Sequence, residues 1–245
     1  MPRILTYNVH RCVGMDGKLD VARTAKVIAQ ARPDIVALQE LDVGRARTGG
    51  VDQAHAIAEA LGMSFHFHPA FTVAEEQYGD AILTTLPLRL VKAGALPNSH
   101  AVRGLEPRGA LWVKIEVEGG ELDVINTHLG LVPHEQRAQA AALLSDQWMD
   151  HPDCTDPAIL LGDFNATPRH GAYRRLVSRL RDVQLVNRRR RLRTFPSRLP
   201  MLRIDHAFIS RSIVVQAVHA PKGALMRAAS DHLPLVIDFR IDQRP

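Results

Sequence analysis

Residues 158–165 read AILLGDFN, an apolar run that closes on Asp163 and Asn165. A run of this kind is typical of a buried strand whose polar end leaves the sheet. The same pattern recurs at other strand ends, with Asn8 after ILTY, Glu40 after IVALQ, Asn126 and His128 after LDVI, and Asp205 after LRI. Because strand ends on packed sheets can converge, the recurrence predicts one shared cleft.

Each of these residues, taken alone, has a simpler explanation. An Asn or Asp at a strand end often bonds its own backbone in a turn, and a lone His128 is more often structural. Glu40 is harder to explain in this way, because a carboxylate after a buried run is costly unless it is paired or bound to a cation. As a set, the residues supply hard oxygen ligands, which Mg²⁺ or Mn²⁺ prefers and structural Zn²⁺ does not.

Other catalytic motifs are absent from the sequence. It has no GxxxxGK loop, no GxGxxG fingerprint, no GxSxG elbow and no HExxH helix. Hydrolysis by an activated water is therefore the leading prediction for the chemistry.

Composition predicts one globular domain over residues 1–245, with 46% hydrophobic and 23% charged residues. A net charge of +5 mildly favours anionic partners, although a solvated basic surface explains it equally well. Cys12 and Cys154 are too few for a disulfide scaffold, and neither a signal peptide nor a membrane-spanning run is recognisable. We expect a cytoplasmic monomer without an integral membrane segment.

The pattern of predicted elements favours an α+β fold. Helices are predicted after the N-cap Asp20, over VDQAHAIAEALG up to Gly62, from residue 134 to residue 149, and after Pro168. KIEVEGGELDVIN alternates around Gly119, which is typical of a hairpin. Mostly antiparallel strands with interspersed helices predict two sheets packed face to face and covered by helices.

Eight ordered blocks resemble the endonuclease/exonuclease/phosphatase superfamily: TYNVH, VALQE, YGDAILT, PRGALW, NTHLG, LGDFN, RIDHAFIS and SDHLP. The resemblance runs from about residue 3 to residue 240. It implies a four-layer α/β/β/α sandwich of two mostly antiparallel sheets, and divalent-metal-dependent hydrolysis of a phosphate ester. One departure is Asp80, where many relatives carry Asn; the extra carboxylate either joins the metal site, repels phosphate or bonds nearby backbone.

The resemblance also implies roles for individual residues. The metal ligands are Glu40, Asn8 and Asp231. The groups that contact phosphate are Asn165, Asn126, His128 and Arg108. Asp163 is similar to the residue that orients or deprotonates the attacking water, although a metal hydroxide is an equal candidate for the base. His232, oriented by Asp205, resembles the histidine that stabilises or protonates at phosphorus.

The substrate stays open between several classes. The early blocks are similar to bacterial stand-alone members related to the catalytic domain of GPI-anchor lipid remodelling proteins, which favours a lipid or small phosphodiester. The alternatives are a DNA nuclease, abasic-site or nonspecific, and a non-catalytic phosphate-binding module. The basic run Arg188, Arg189, Arg190 and Arg191 predicts contact with nucleic acid or an anionic membrane, or else a solvated loop.

Overall fold

The computed structural model describes residues 1–98, 105–187 and 191–242. The strands of the first sheet are β1 (Arg3–Asn8), β2 (Ile35–Val43), β3 (Ser64–Val73), β4 (Glu76–Thr84), β11 (Ile213–His219) and β12 (Leu235–Ile241). Those of the second are β5 (Leu88–Ala95), β6 (Gly109–Val117), β7 (Gly120–His128), β8 (Ala158–Asp163), β9 (Arg181–Asp182) and β10 (Asp205–Ile209). Their orders are β11-β12-β1-β2-β4-β3 and β5-β6-β7-β8-β10-β9.

Six α-helices flank the two sheets in the described ranges. They are α1 (Val21–Ala31), α2 (Gln53–Leu61), α3 (Pro133–Leu143), α4 (Gly171–Val177), α5 (Val183–Val186) and α6 (Ala224–Ala229). Apolar residues of α1, α2 and α6 pack on the first sheet, and those of α3 and α4 pack on the second. A third apolar cluster fills the space between the sheets, where Ile35 and Ile82 meet Leu111 and Val124. The predicted four-layer sandwich is confirmed.

Local sequence signals set several helix ends. Asp20 accepts a hydrogen bond from the backbone of Arg23 and caps α1, and Gly62 ends α2 in the left-handed conformation. The prediction of a helix from residue 134 to residue 149 is wrong at its C-terminal end, because α3 ends at Leu143. There the Ser145 hydroxyl donates to the carbonyl of Ala142 and turns the chain.

Each sheet contains one parallel pair of strands at its centre, and the other pairs are antiparallel. In the first sheet β1 runs parallel to β2, and in the second β7 runs parallel to β8. The carboxyl ends of two parallel strands meet at the same edge of a sheet. Asn8 and Glu40 therefore emerge from one sheet, and His128 and Asp163 from the other, at a common end of the sandwich.

No helix in the described ranges has both the length and the apolar character that crossing a bilayer demands.

Candidate active site

Asp163 lies at the centre of the polar cluster because of strand register. It pairs with His128 on the neighbouring strand β7 and with Asp205 on β10. All three side chains are at most 3% exposed. Three adjacent strands thus bring an imidazole and two carboxylates to one point.

Gly162 makes this register possible. Its φ of 142° is a conformation that L side chains rarely adopt. A Cβ at this position would lie 1.8 Å from the carbonyl oxygen of Thr127 on β7. The glycine before Asp163 therefore allows β7 and β8 to approach each other beneath the site.

A β-bulge directs Glu40 towards the same place. The pairing of β2 with β4 shifts between Leu38 and Leu41, and both leucines pack in the same helix-covered core. One extra residue has therefore been inserted, and Glu40 takes it up with a φ of 63°. A left-handed glutamate is conformationally costly, which is typical of a position held for function.

Asn8 joins the two halves of the site. Its Nδ2 donates to Oε1 of Glu40 at 2.9 Å and to Oδ2 of Asp163 at 3.0 Å. Its Oδ1 accepts from the backbone N–H of His10 at 3.0 Å. Asn8 therefore holds the two carboxylates together and does not line the cavity itself.

His232 is held in its charged form. Its Nδ1 donates to Oδ2 of Asp205 at 2.9 Å, and Nε2 lies 3.6 Å from Oδ2 of Asp163. Burial opposes ionisation, but the charges of Asp205 and Asp163 outweigh it and raise the pKa of His232 to about 10. The hydroxyl of Thr194 also donates to Asp205 and fixes that carboxylate.

Asp163 and His128 are shifted towards their neutral forms. Burial raises the pKa of Asp163 to about 7, although the His232 charge opposes the shift. Burial and the nearby Arg108 guanidinium lower the pKa of His128 well below its ordinary value. Arg108 donates to Nδ1 of His128 at 3.2 Å, and the amide nitrogen of Asn165 lies 3.0 Å from Nε2. At neutral pH the site thus contains a neutral imidazole, His128, and a charged imidazole, His232. The carboxyl group of Asp163 lies near both and is partly ionised.

These groups open onto a cavity of about 500 Å³. Seven of the ten predicted site residues line it: Glu40, Arg108, His128, Asp163, Asn165, Asp231 and His232. Asp205 and Asn8 lie behind this wall and hold its members. The cleft predicted from the strand ends therefore exists, and it brings together most of the residues expected there.

Asn126 does not reach the cavity. Its Nδ2 donates to the carbonyls of Leu38 and Ala81 at 2.8 and 2.9 Å, and its Oδ1 accepts from Gln39 at 2.7 Å. These bonds occupy the amide and link the second sheet to the first. The expected phosphate contact is therefore corrected to an inter-sheet bridge beneath the site.

Asp80 likewise stays out of the cavity. It is 3% exposed and lies on β4, within reach of the backbone N–H of Glu40. Burial raises its pKa to about 8, with Arg108 opposing the shift. Of the readings open for this residue, bonding to nearby backbone is the one that its position favours.

The cavity includes cationic and aromatic residues that the sequence did not single out. Arg47 pairs with the buried Asp42 at 2.7 Å and lies 5.4 Å from the ring centre of Tyr78. Arg11 has a φ of 56°, and its carbonyl accepts from Gln53. Tyr78 precedes Gly79 in the YGDAILT block, and Arg11 follows the TYNVH block. Proximity to these blocks is the signal that could have found Tyr78 and Arg11.

The donor set fits a hard divalent cation. Among the described residues, the carboxylates of Glu40 and Asp231 line the cavity and make no ion pair with a basic side chain. Asp163, Asp205 and His232 also place ligand atoms within 4.8 Å of one another. In that group, however, Asp205 is already bonded to His232 and Thr194. Glu40 and Asp231 are therefore the better candidates for metal ligands.

The model of the endonuclease/exonuclease/phosphatase family matches residues 5–232. The chain belongs to this family. Its name describes hydrolases of phosphate esters, and a phosphoesterase activity is therefore supported for a member with this site.

Individual relatives of the family are more distant. The uncharacterized protein YbhP of Escherichia coli is 24% identical, over 98% of this chain and 96% of its own length. The mannosyl-6-phosphatase Bt3783 of Bacteroides thetaiotaomicron has a TM-score of 0.78 at 21% identity, over 98% of this chain and all of its own. The human Nocturnin catalytic domain, solved with a sulfate anion, has a TM-score of 0.73 at 20% identity, over 98% and 94%. At these identities the structures show a shared fold.

Proposed function

We propose that the chain is a divalent-metal-dependent phosphodiesterase that hydrolyses a lipid or small-molecule phosphodiester with an activated water. The observation that carries the proposal is the position of Asp163. Its Oδ2 lies 3.6 Å from Nε2 of both His128 and His232 and accepts a hydrogen bond from Asn8. A carboxylate between two imidazoles, at the floor of an open cavity, is placed to handle a proton at a reacting water.

The residues divide the work of phosphoryl transfer. Asp163 accepts the proton of the attacking water, since a carboxylate with a pKa of about 7 is ionised in part at neutral pH. The charged His232 stabilises negative charge that develops on the phosphoryl oxygens. Arg108 and Asn165 both contact His128, and the three residues hold the phosphate in line with the water.

Glu40 and Asp231 are the carboxylates that would hold Mg²⁺ or Mn²⁺, with Asn8 fixing Glu40 in place. When bound, the cation supplies Lewis-acid polarisation of the phosphate and charge neutralisation. Arg108 and His232 add positive charge at the same site, and this charge also offsets the negative charge of the phosphate.

The remaining wall of the cavity supports a substrate with an apolar part. The lining contains Leu131, Phe195, Leu202 and Ile204, together with the arginines Arg11, Arg47 and Arg108. A phosphodiester that joins a polar headgroup to an apolar group would contact both kinds of side chain. This favours a lipid or small organic diester over a nucleic-acid strand.

An activity panel tests the proposal. Purified protein with Mg²⁺, Mn²⁺ or EDTA is assayed on bis-nitrophenyl phosphate, a phosphomonoester, a phospholipid, plasmid DNA and an abasic oligonucleotide. We expect metal-dependent cleavage of the diester and the phospholipid, which EDTA and Glu40→Ala abolish. Cleavage of DNA alone would replace the substrate class with a nuclease. Phosphate binding without turnover on any substrate would make the chain a binding module.

We also propose that the enzyme acts as a cytoplasmic monomer. Both cysteines are free, with Cys12 buried and Cys154 partly exposed, which suits a reducing compartment. Cell fractionation and light scattering of the purified protein test the two statements separately.

A further inference from the structure

A second cavity, of about 550 Å³, adjoins the catalytic one. It shares Thr167 and Leu202 with the catalytic cavity. Its described lining contains four arginines and no carboxylate. The lining residues are Thr167, Pro168, Arg169, Arg191, Arg193, Met201, Leu202 and Arg203. Arg188, Arg189 and Arg190 of the basic run lie outside the described residues, whereas Arg191 lines this cavity.

Most of the charge in this cavity is not neutralised by the described part of the chain. Arg203 is buried and pairs with the carboxylate of Asp182. Arg169, Arg191 and Arg193 form no ion pair with any residue in the described ranges. Three guanidinium groups beside one opening produce a positive field that attracts phosphate groups.

Exposed apolar side chains lie in the same segment: Met201 and Leu202 line the cavity with these arginines, and Leu199 is two residues before Met201. Leu199 is 67% exposed and Met201 57% exposed, and Leu202 and Leu131 are exposed as well. Leu131 and Leu202 both line the catalytic cavity. An exposed apolar group at the mouth of a cleft, bordered by cations, is typical of an interaction surface.

The segment that carries Leu199 and Met201 is anchored to the active site. Phe195 and Leu202 form a bridge that closes the loop. Within the loop, the N–H of Ser197 donates to the carbonyl of Asp231 at 2.6 Å, and its hydroxyl donates to the carbonyl of Ser230. The apolar tip is therefore fixed relative to His232, and whatever binds the tip is positioned relative to the catalytic groups.

We propose that Leu199, Met201, Arg169, Arg191 and Arg193 form a docking surface for an anionic lipid bilayer. Apolar side chains gain free energy when they enter the acyl region, and arginines gain it at anionic headgroups. A nucleic acid would contact the arginines but would leave Leu199 and Met201 in water. The described lining of this cavity also offers no aromatic ring on which bases could stack. The combination therefore favours a bilayer.

This inference rests on the proposed function and names the partner of the same site. Docking at this surface would bring the catalytic mouth, bordered by Leu131 and Leu202, against lipid headgroups. A headgroup phosphodiester could then enter the cavity while its acyl chains stay in the bilayer.

Vesicle co-sedimentation tests the docking surface apart from catalysis. The probes are phosphatidylcholine vesicles with and without phosphatidylglycerol and, in a parallel binding assay, duplex DNA. The variants are Leu199→Ser/Met201→Ser, Arg191→Ser/Arg193→Ser and, as a matched control, Val73→Ser/Leu90→Ser, whose side chains are exposed aliphatics outside both cavities. Thermal melting verifies that each variant is folded.

We expect binding to the anionic vesicles, weakened roughly 30-fold by the arginine pair at about 1 kcal/mol per residue. The aliphatic pair should weaken binding at least about tenfold, since each side chain buries apolar surface in lipid. The control should bind like the wild type, and so should Asp163→Asn, which separates docking from hydrolysis. Equal binding by all variants, or arginine-dependent binding of duplex DNA without vesicle binding, would overturn the proposal.

Discussion

Nε2 of His232 lies 3.6 Å from Oδ2 of Asp163, and each group moves the pKa of the other in the direction that keeps both charged. The imidazolium opposes the effect of burial on Asp163, and the carboxylate helps to raise the pKa of His232. Each group therefore affects the protonation of the other, and measurements as a function of pH test the charge assigned to each.

The pH dependence of kcat/KM is expected to have two limbs. Activity rises as the pH approaches about 7, because Asp163 must be ionised to accept a proton. It falls above about 10, where His232 loses its charge. A bound cation moves the acidic limb to lower pH, because it favours the carboxylate form. Steady-state assays on bis-nitrophenyl phosphate measure both limbs, and a profile without an alkaline limb would contradict the role of His232.

Asp205→Asn should move the alkaline limb to lower pH. The substitution removes the negative charge that contacts Nδ1 of His232 at 2.9 Å, so the pKa of that histidine falls. NMR titration of the His232 ring measures the shift directly in the metal-free protein. Asp153→Asn is the control, since Asp153 lies outside the catalytic cavity. An unchanged His232 titration would show that Asp205 does not set its charge.

Asp163→Asn should lower kcat by about 10²–10⁴-fold, the usual contribution of a proton acceptor. The amide has nearly the same shape but cannot take the proton of the attacking water. Turnover with bis-nitrophenyl phosphate measures the loss, and an unchanged urea unfolding midpoint shows that the fold is intact. Near-normal turnover would assign the base to another group.

Glu40→Gln should weaken binding of Mn²⁺ at least about tenfold, which corresponds to about 1.4 kcal/mol. The substitution keeps the hydrogen-bonding shape towards Asn8 but removes one of the two cavity carboxylates that make no ion pair with a described basic side chain. Isothermal calorimetry on the metal-free protein gives the affinity without reference to activity. Glu118→Gln, at an exposed hairpin turn, serves as the control. Equal affinity in both variants would exclude Glu40 as a ligand.

Asn126→Ala should destabilise the protein by about 2–4 kcal/mol, because two buried carbonyls lose their donor. Urea unfolding measures the change. The folded fraction should keep a KM close to that of the wild type, since the amide does not line the cavity. A raised KM together with unchanged stability would instead support the phosphate contact that the sequence predicted for Asn126.

The contrast between Asn126 and His128 shows how far a sequence pattern reaches. The two residues are separated by two positions on β7, so alternation correctly places them on one face. His128 ends the strand and meets the cavity, whereas Asn126 lies about 7 Å further back, between the sheets. Depth along a strand depends on how the second sheet is placed, and that information is not local.

Glu40 and Arg47 show the same limit of sequence patterns, because Glu40 could be recognised from the sequence and Arg47 could not. Glu40 is recognisable as a carboxylate that closes an apolar run, although the bulge that directs it is not. Arg47 lies in a short 3-10 helix in the connection after β2, and its contacts with Asp42 and Tyr78 hold it at the cavity. The fold and the strand-end residues follow from short-range patterns, and the loop residues of the site follow from long-range packing.

The hairpin turn at Glu118 and Gly119 lies at the opposite end of β7 from His128. At about 3.3 Å per residue, the nine-residue strand separates the two by roughly 27 Å. This turn is therefore the natural attachment point for a fluorescent label or a sensor-chip tether. An enzyme anchored there would present its catalytic mouth outward to a substrate or a supported lipid layer.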